Sequence, residues 1–254
     1  MPRIAHLSDL HFGEAAPEQV RALAADIKAQ APEAVVVSGD LTRRAMPGEF
    51  VAAIAFLEAL EAPLLVVPGN HDIPRFELFE RFLHPRQRWL AARPVRLPDV
   101  LTLPGLRLIG FDSTSRAQWH LDWAAGAVSE ARRGLLDAAL SLPGEDVTVV
   151  VCHHPLRHPA WAIARRAPRH AETTIALLRS HGVAALLCGH LHRPGVTRLG
   201  QGGPLQVVAP SALSPRGTGR PNGWNLITAE AAGCSVMLRE WVGARWTVQA
   251  LEAE

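Results

Sequence analysis

Leu64-Leu65-Val66-Val67-Pro68-Gly69-Asn70-His71-Asp72 runs an apolar, β-branched segment straight into a turn that presents an amide, an imidazole and a carboxylate in succession. A turn alone would not require three consecutive donors of different chemistry; a bound ligand would. Reading outward, the same design recurs along the chain. Asp9 and His11 follow an apolar run at 3–7, Gly39-Asp40 follows 34–37, His153-His154-Pro155 follows 147–151, and Gly189-His190-Leu191-His192 follows 184–187. A further apolar run lies at 106–109.

Between these runs, residues 18–30, 48–60, 129–140 and 171–181 carry apolar side chains at helical spacing, so strands and helices alternate from residue 3 onward. After Val196 the pattern changes. Short strands at 205–208, 224–228 and 235–241 follow Gly and Pro turns with no helix between them, and 210–223 reads as a surface loop. These predict a second, largely antiparallel sheet packed on the first, closing a four-layer α/β/β/α sandwich of two mixed sheets. No repeat or composition shift marks a boundary, so 1–254 reads as one domain.

Composition narrows the function classes. The chain has 254 residues, 48% of them hydrophobic, enough for a substantial core, and a net charge of only +2, which argues against a broad nucleic-acid surface. No apolar run reaches the roughly 18 residues that span a bilayer, and Met1-Pro2-Arg3 leads into a strand rather than a signal peptide; a cytoplasmic protein without a transmembrane segment is expected. Cys152, Cys188 and Cys234 are too scattered for a disulfide framework. Cys152 and Cys188 precede donor segments, but small buried core residues are the stronger reading over thiol ligands. The only lysine, Lys28, falls on a predicted exposed helix, which argues against Schiff-base chemistry.

In open α/β sheets ligands collect beyond the carboxyl ends of the strands, which is where all five donor segments fall. Asp-x-His places two donors on the same side of an extended backbone. Six of the twelve histidines lie in these segments; His84, His120, His158, His170 and His181 lack a partner at ligand spacing, and His6 reads as a packed strand residue. The donors suffice for two adjacent cations sharing one carboxylate. A pair of cations that close together does a small set of chemistries.

The order Asp-x-His, Gly-Asp, Gly-Asn-His-Asp, a His two before Pro, and Gly-His-x-His resembles the calcineurin-like metallophosphoesterase superfamily. The extended forms Ser8-Asp9-Leu10-His11-Phe12-Gly13, Ser38-Gly39-Asp40-Leu41-Thr42 and Pro68-Gly69-Asn70-His71-Asp72 are most similar to its bacterial class III cyclic-nucleotide and glycerophosphodiester phosphodiesterases. The resemblance implies that Asp9, His11 and His192 hold one metal, that Asn70, His153 and His190 hold the other, and that Asp40 bridges them. A carboxylate, amide and imidazole set suits Mn, Fe or Zn. His71 is then assigned to the leaving-group side, Asp72 to orienting His71, and His154 to a supporting or substrate contact.

Substrate choice must come from the surroundings. Residues 157–170 hold Arg157, Trp161, Ala162, Ile163, Arg165, Arg166 and Arg169, read either as a flap whose arginines, Arg157 first, bind phosphate, or as a solvated loop. Residues 75–89 carry Phe76, Phe79, Phe82 and Trp89 near helical spacing, more consistent with core than with a groove. Were both stretches exposed and apolar, a lipid-linked nucleotide substrate would gain weight. The expected reaction is hydrolysis of a small phosphodiester. The alternatives are a UDP-diacylglucosamine pyrophosphatase of lipid A synthesis, one well-known form of which has Arg where this chain has His71, and a non-catalytic scaffold, whose relatives usually lack ligands that this chain keeps. A homo-oligomer formed through the strands after residue 220 is left open.

Overall fold

Period-two alternation divides each central strand between two cores. The computed structural model describes all residues except 94–98, 117–121, 123, 145–146, 163–164, 215–218, 231–232 and 252–254. In β1 (Arg3–Leu7) and β2 (Ala34–Val37), Ile4, Ala34 and Val36 face a core between the sheets, while Ala5, Leu7, Val35 and Val37 face outward. Their outward faces are covered by α1 (Pro17–Ala29) and α2 (Pro47–Glu58), through Leu23, Ile27, Phe50, Phe56 and Leu57. Both helices begin on proline, whose missing N–H costs nothing in a first turn.

The chain then passes β3 (Leu64–Val66), two short helices, α3 (Leu78–Leu83) and α4 (Gln87–Ala92), and a hairpin of β4 (Val100–Leu103) and β5 (Leu106–Gly110). The second sheet repeats the alternation. In β6 (Val147–Val151) and β7 (Ala185–Cys188), Val149, Val151, Ala185 and Leu187 meet the first sheet, while Val150, Leu186 and Cys188 face outward to α5 (Glu130–Leu140) and α6 (Ala171–Ser180). The layers are therefore helix, sheet, sheet, helix.

The strands after β7 are distributed differently from the sequence-based expectation. They do not form a sheet of their own. β8 (Gly195–Arg198) and β9 (Leu205–Val208) extend the second sheet, in the order β4-β5-β6-β7-β9-β8, and β9 runs parallel to β7. β10 (Gly223–Glu230), β11 (Gly233–Val242) and β12 (Arg245–Gln249) complete the first, in the order β12-β11-β10-β1-β2-β3, with β10 antiparallel to β1. The second sheet thus has a parallel middle and antiparallel edges, while the first is parallel from β1 to the β3 edge and antiparallel from β1 to the β12 edge. Among the described residues no helix is long and apolar enough to cross a membrane.

The aromatic stripe at 75–89 is a second correction. Phe76 and Phe79 are each 72% exposed, and Leu78 and Leu83 are exposed too; only Trp89 is buried, against Phe50. Helical spacing fixes which residues share a face, but not whether another element covers it.

Candidate metal centre

β1, β2, β3, β6 and β7 all end on one side of the sandwich, and the loops that leave them carry the seven donors implied by the sequence. The structure brings these seven together. Asp9, His11, Asp40 and His192 place donor atoms within 4.8 Å of one another. His192 Nε2 lies 3.0 Å from Asp9 Oδ1 and 3.2 Å from His11 Nε2. On the other side, Asn70 Oδ1 lies 3.1 Å from His153 Nε2 and 3.0 Å from His190 Nδ1. Asp40 Oδ2 stands between the two groups, 3.4 Å from His153 Nε2 and 3.9 Å from His11 Nε2.

All of these separations but the 3.9 Å one fit metal coordination. Donors about 2.1 Å from one ion are roughly 3.0–3.4 Å apart at octahedral to tetrahedral angles. Asp9 Oδ1 is buried with no hydrogen-bond donor aimed at it, although His192 Nε2 is near. An orphaned carboxylate oxygen among imidazole nitrogens is costly alone and satisfied by a cation. The residues present therefore fit a pair of divalent ions.

Neighbouring groups aim the donors. Ser8 Oγ donates to Asp9 Oδ2 at 2.6 Å and the His190 N–H donates to it at 3.0 Å, which leaves Oδ1 facing inward. His71 N–H donates to Asp40 Oδ1 at 2.8 Å, leaving Oδ2 to be shared. His153 Nδ1 donates to the Ser38 carbonyl at 2.8 Å and His11 Nδ1 to the Thr42 carbonyl at 3.3 Å, so each turns Nε2 toward the other donors. Burial holds His11 neutral, at about 4, and pushes His190 well below the usual imidazole range. For Asp40 burial acts upward but is outweighed by His153, His71 and His11, so the carboxylate is ionised. Burial would likewise lower His153, yet Asp40 prevails and raises it to about 9. A cation would answer the same carboxylate field.

Backbone geometry carries a cost here. Asp9, His11, Asp40, His190 and His192 all have positive φ, half of the ten such non-glycine residues among those described. At about 1–3 kcal/mol each, such strain persists only where surrounding contacts impose it.

Three side chains have partners other than those the sequence reading gave them. Asp72 was expected to orient His71, but its buried carboxylate accepts from the N–H groups of Leu41, Thr42 and Gly69 and from Thr42 Oγ1, tying the β2 loop to the β3 loop. Burial raises its pKa to about 6, Asp40 adding to the rise, against the pull of those hydrogen bonds. His71 is oriented instead by the Arg43 carbonyl, to which Nδ1 donates at 2.7 Å. Asp72→Ala should cost about 3–5 kcal/mol in urea denaturation, because three buried N–H groups lose their acceptor. Unchanged stability with lost turnover would restore the orienting role.

His154 is not placed as a ligand or a substrate contact. It lies beside His153 and His190, but Nε2 donates to the Ala124 carbonyl and Nδ1 accepts from Ser113 Oγ, both at 2.8 Å, so both ring nitrogens are used. Arg157 is held by Glu172 at 3.0 and 3.1 Å and is not placed as a phosphate contact. Trp161 packs on the outer core of the second sheet under Arg193, and Ala162 is buried, so this part of 157–170 is anchored; Ile163 lies outside the described residues.

Of the remaining histidines, His6 is buried against Ser38 Oγ, His181 pairs with Asp137, His158 contacts the Arg165 carbonyl, His84 and His170 are exposed, and His120 lies outside the described residues. Cys152 and Cys188 belong to the outer core. Sequence reading missed Ser8, Ser38 and Thr42 as aiming groups, although all three stand inside the quoted motifs; nothing in the sequence marks Ser113.

Twin donor sets at the strand ends of a four-layer sandwich define a class, the phosphoric ester hydrolases that use metals. Residues 2–194 match the calcineurin-like phosphoesterase family, and the chain belongs to it. It is 31% identical over 211 residues to the glycerophosphodiester phosphodiesterase GpdQ of Enterobacter lignolyticus, covering 78% of this chain and 73% of that protein. It is 30% identical over 166 residues to a cAMP/cGMP dual specificity phosphodiesterase of Mycobacterium tuberculosis, covering 63% of this chain but about half, 49%, of that relative. A dimetal phosphatase from Danio rerio shares the fold, with a TM-score of 0.68 at 14% identity over 97% of this chain and 98% of that one.

Proposed function

We propose that this chain hydrolyses a small phosphodiester, of cyclic-nucleotide or glycerophosphodiester type, using two divalent cations drawn from manganese, iron or zinc. Asp9, His11 and His192 would hold one, Asn70, His153 and His190 the other, with Asp40 common to both. The observation that carries this reading is Asp40 Oδ2, buried between His11 Nε2 and His153 Nε2. Bound there, the cations supply Lewis-acid polarisation of the phosphoryl oxygens and lower the pKa of a water for attack at phosphorus.

The chain's own groups do the rest. With Nδ1 committed to the Arg43 carbonyl, His71 Nε2 is the atom that holds a proton and gives it to the departing oxygen. A cavity of about 250 Å³ opens from Asn70 and His71 and offers room for the departing substituent. Both relatives, from Enterobacter lignolyticus and Mycobacterium tuberculosis, are phosphodiesterases, which supports the same choice. A reducing, cytoplasmic setting belongs to this reading, since all three cysteines are free.

The pyrophosphatase alternative draws support from one observation, the exposed face of Phe76, Leu78 and Phe79 close after His71, which suits an acyl chain. The 157–170 stretch does not join it, because Trp161 and Ala162 pack inward.

A manganese-supplemented screen of diesters, monoesters, cyclic nucleotides and nucleotide-lipids tests the proposal; preference for monoesters would contradict it. His71→Gln should lower kcat about 10²-fold on alkyl diesters and much less on bis(p-nitrophenyl) phosphate, whose leaving group needs little protonation. Equal losses on the two would remove the acid role.

A further inference from the structure

We infer that the cavity beside His71 is an anion subsite, selecting diesters whose leaving group carries a second negative charge, a carboxylate or a phosphate. The inference rests on the phosphodiesterase reading for its direction, since His71 marks the leaving-group side. It rests on geometry for its chemistry.

Among the described residues, four guanidinium groups line this cavity, those of Arg43, Arg44, Arg75 and Arg81, against a single carboxylate, Asp122. They are not equivalent. Arg43 is paired with Glu14, and Arg81 is pinned as part of the wall, donating to the carbonyls of Arg116 at 2.8 Å and Pro74 at 3.1 Å. Arg44 and Arg75 are exposed and have no carboxylate partner among the described residues. The Arg75 guanidinium lies over the Phe76 ring, its Cζ 5.6 Å from the centroid.

Two unpaired cations converging on one concave surface repel each other, and a cavity focuses their field. Burial lowers the pKa of Arg81, and the charge of Arg75 lowers it further, consistent with cations gathered without sufficient counter-charge. An anion there relieves the repulsion and gains planar, charge-assisted hydrogen bonds from guanidinium groups. Because Asn70 and His71 form the inner edge of the same cavity, the anion recognised would be joined to the scissile phosphate through the departing oxygen. A cyclic nucleotide, whose leaving oxygen belongs to the same sugar and adds no charge, would leave the subsite empty. Diesters with an acidic head group, and anhydrides that release a phosphate, would fill it.

The test uses the full chain and the double variant Arg44→Ala/Arg75→Ala. Hydrolysis of bis(p-carboxyphenyl) phosphate and of bis(p-nitrophenyl) phosphate is measured with manganese, and the kcat/KM ratio of the first to the second is expected to fall about tenfold in the variant. An unchanged ratio overturns the subsite even if both rates fall. Inorganic pyrophosphate, titrated calorimetrically into chelator-treated protein, gives a reading independent of turnover: the variant's Kd should rise about tenfold. Equal affinities, or no binding to the wild type, refute the subsite while leaving the phosphodiesterase reading intact. Pyrophosphate binding that depends on the two arginines, in a protein that hydrolyses no diester, would retain the subsite and discard that reading.

Discussion

Asp40→Asn is expected to reduce phosphodiester turnover by at least about 10³-fold, roughly 4 kcal/mol of transition-state stabilisation, in a protein that still folds. The substitution keeps an oxygen for the His71 N–H, which now donates to Asp40 Oδ1, so the local hydrogen bond survives. What it removes is charge. The seven donors comprise two carboxylates, one amide and four imidazoles, and without Asp40 only Asp9 is left to balance two dications. An amide also offers a single good oxygen, so it cannot serve both His71 N–H and a shared ligand position. Turnover of bis(p-nitrophenyl) phosphate, metal content and melting temperature together check this. Full activity with one bound metal would show that the shared carboxylate is not needed.

Gly189→Ala is expected to be strongly damaging for a single added methyl. A Cβ at this position would fall 1.7 Å from Ser8 Oγ and 2.5 Å from Asp9 Oδ2. Neither side yields easily. Gly189 N–H donates to the His153 carbonyl at 2.9 Å, and Asp9 N–H donates to the Gly39 carbonyl at 3.0 Å, so both loops are tied to neighbours. The methyl must push the β7 loop, with His190 and His192, away from the β1 loop, with Asp9 and His11. A loss of about 3 kcal/mol in urea denaturation is expected, at the upper end for overpacking, together with most of the metal affinity. Adding Ser8→Gly should restore part of the stability by removing the nearer obstacle. Additive losses in the double variant would place the damage elsewhere.

Much of the site was legible because each donor segment is local. Asn70, His71 and Asp72 are adjacent in the chain, and the strand ends that bring distant segments together are set by the βα alternation. Legibility failed where a role depends on a residue far away in sequence. Asp72 looks like a partner for His71 until the Leu41 and Thr42 N–H groups arrive from a loop some thirty positions earlier. Arg157 looks free for phosphate until α6 brings Glu172 against it. The late strands show the same limit at the level of fold. β9 and β10 read alike, yet one pairs with β7 and the other with β1, and no local pattern states which. β4 and β12 escaped for a related reason: both are edge strands, half-covered, without the continuous apolar run that marks a buried one.

Anomalous diffraction at the manganese edge, from wild-type crystals grown with that ion, bears most directly on the seven-residue centre. Two peaks are expected, about 3.5–4 Å apart, one against Asp9, His11 and His192, the other against Asn70, His153 and His190, with Asp40 between them. One peak, none, or manganese bound away from these side chains would contradict it.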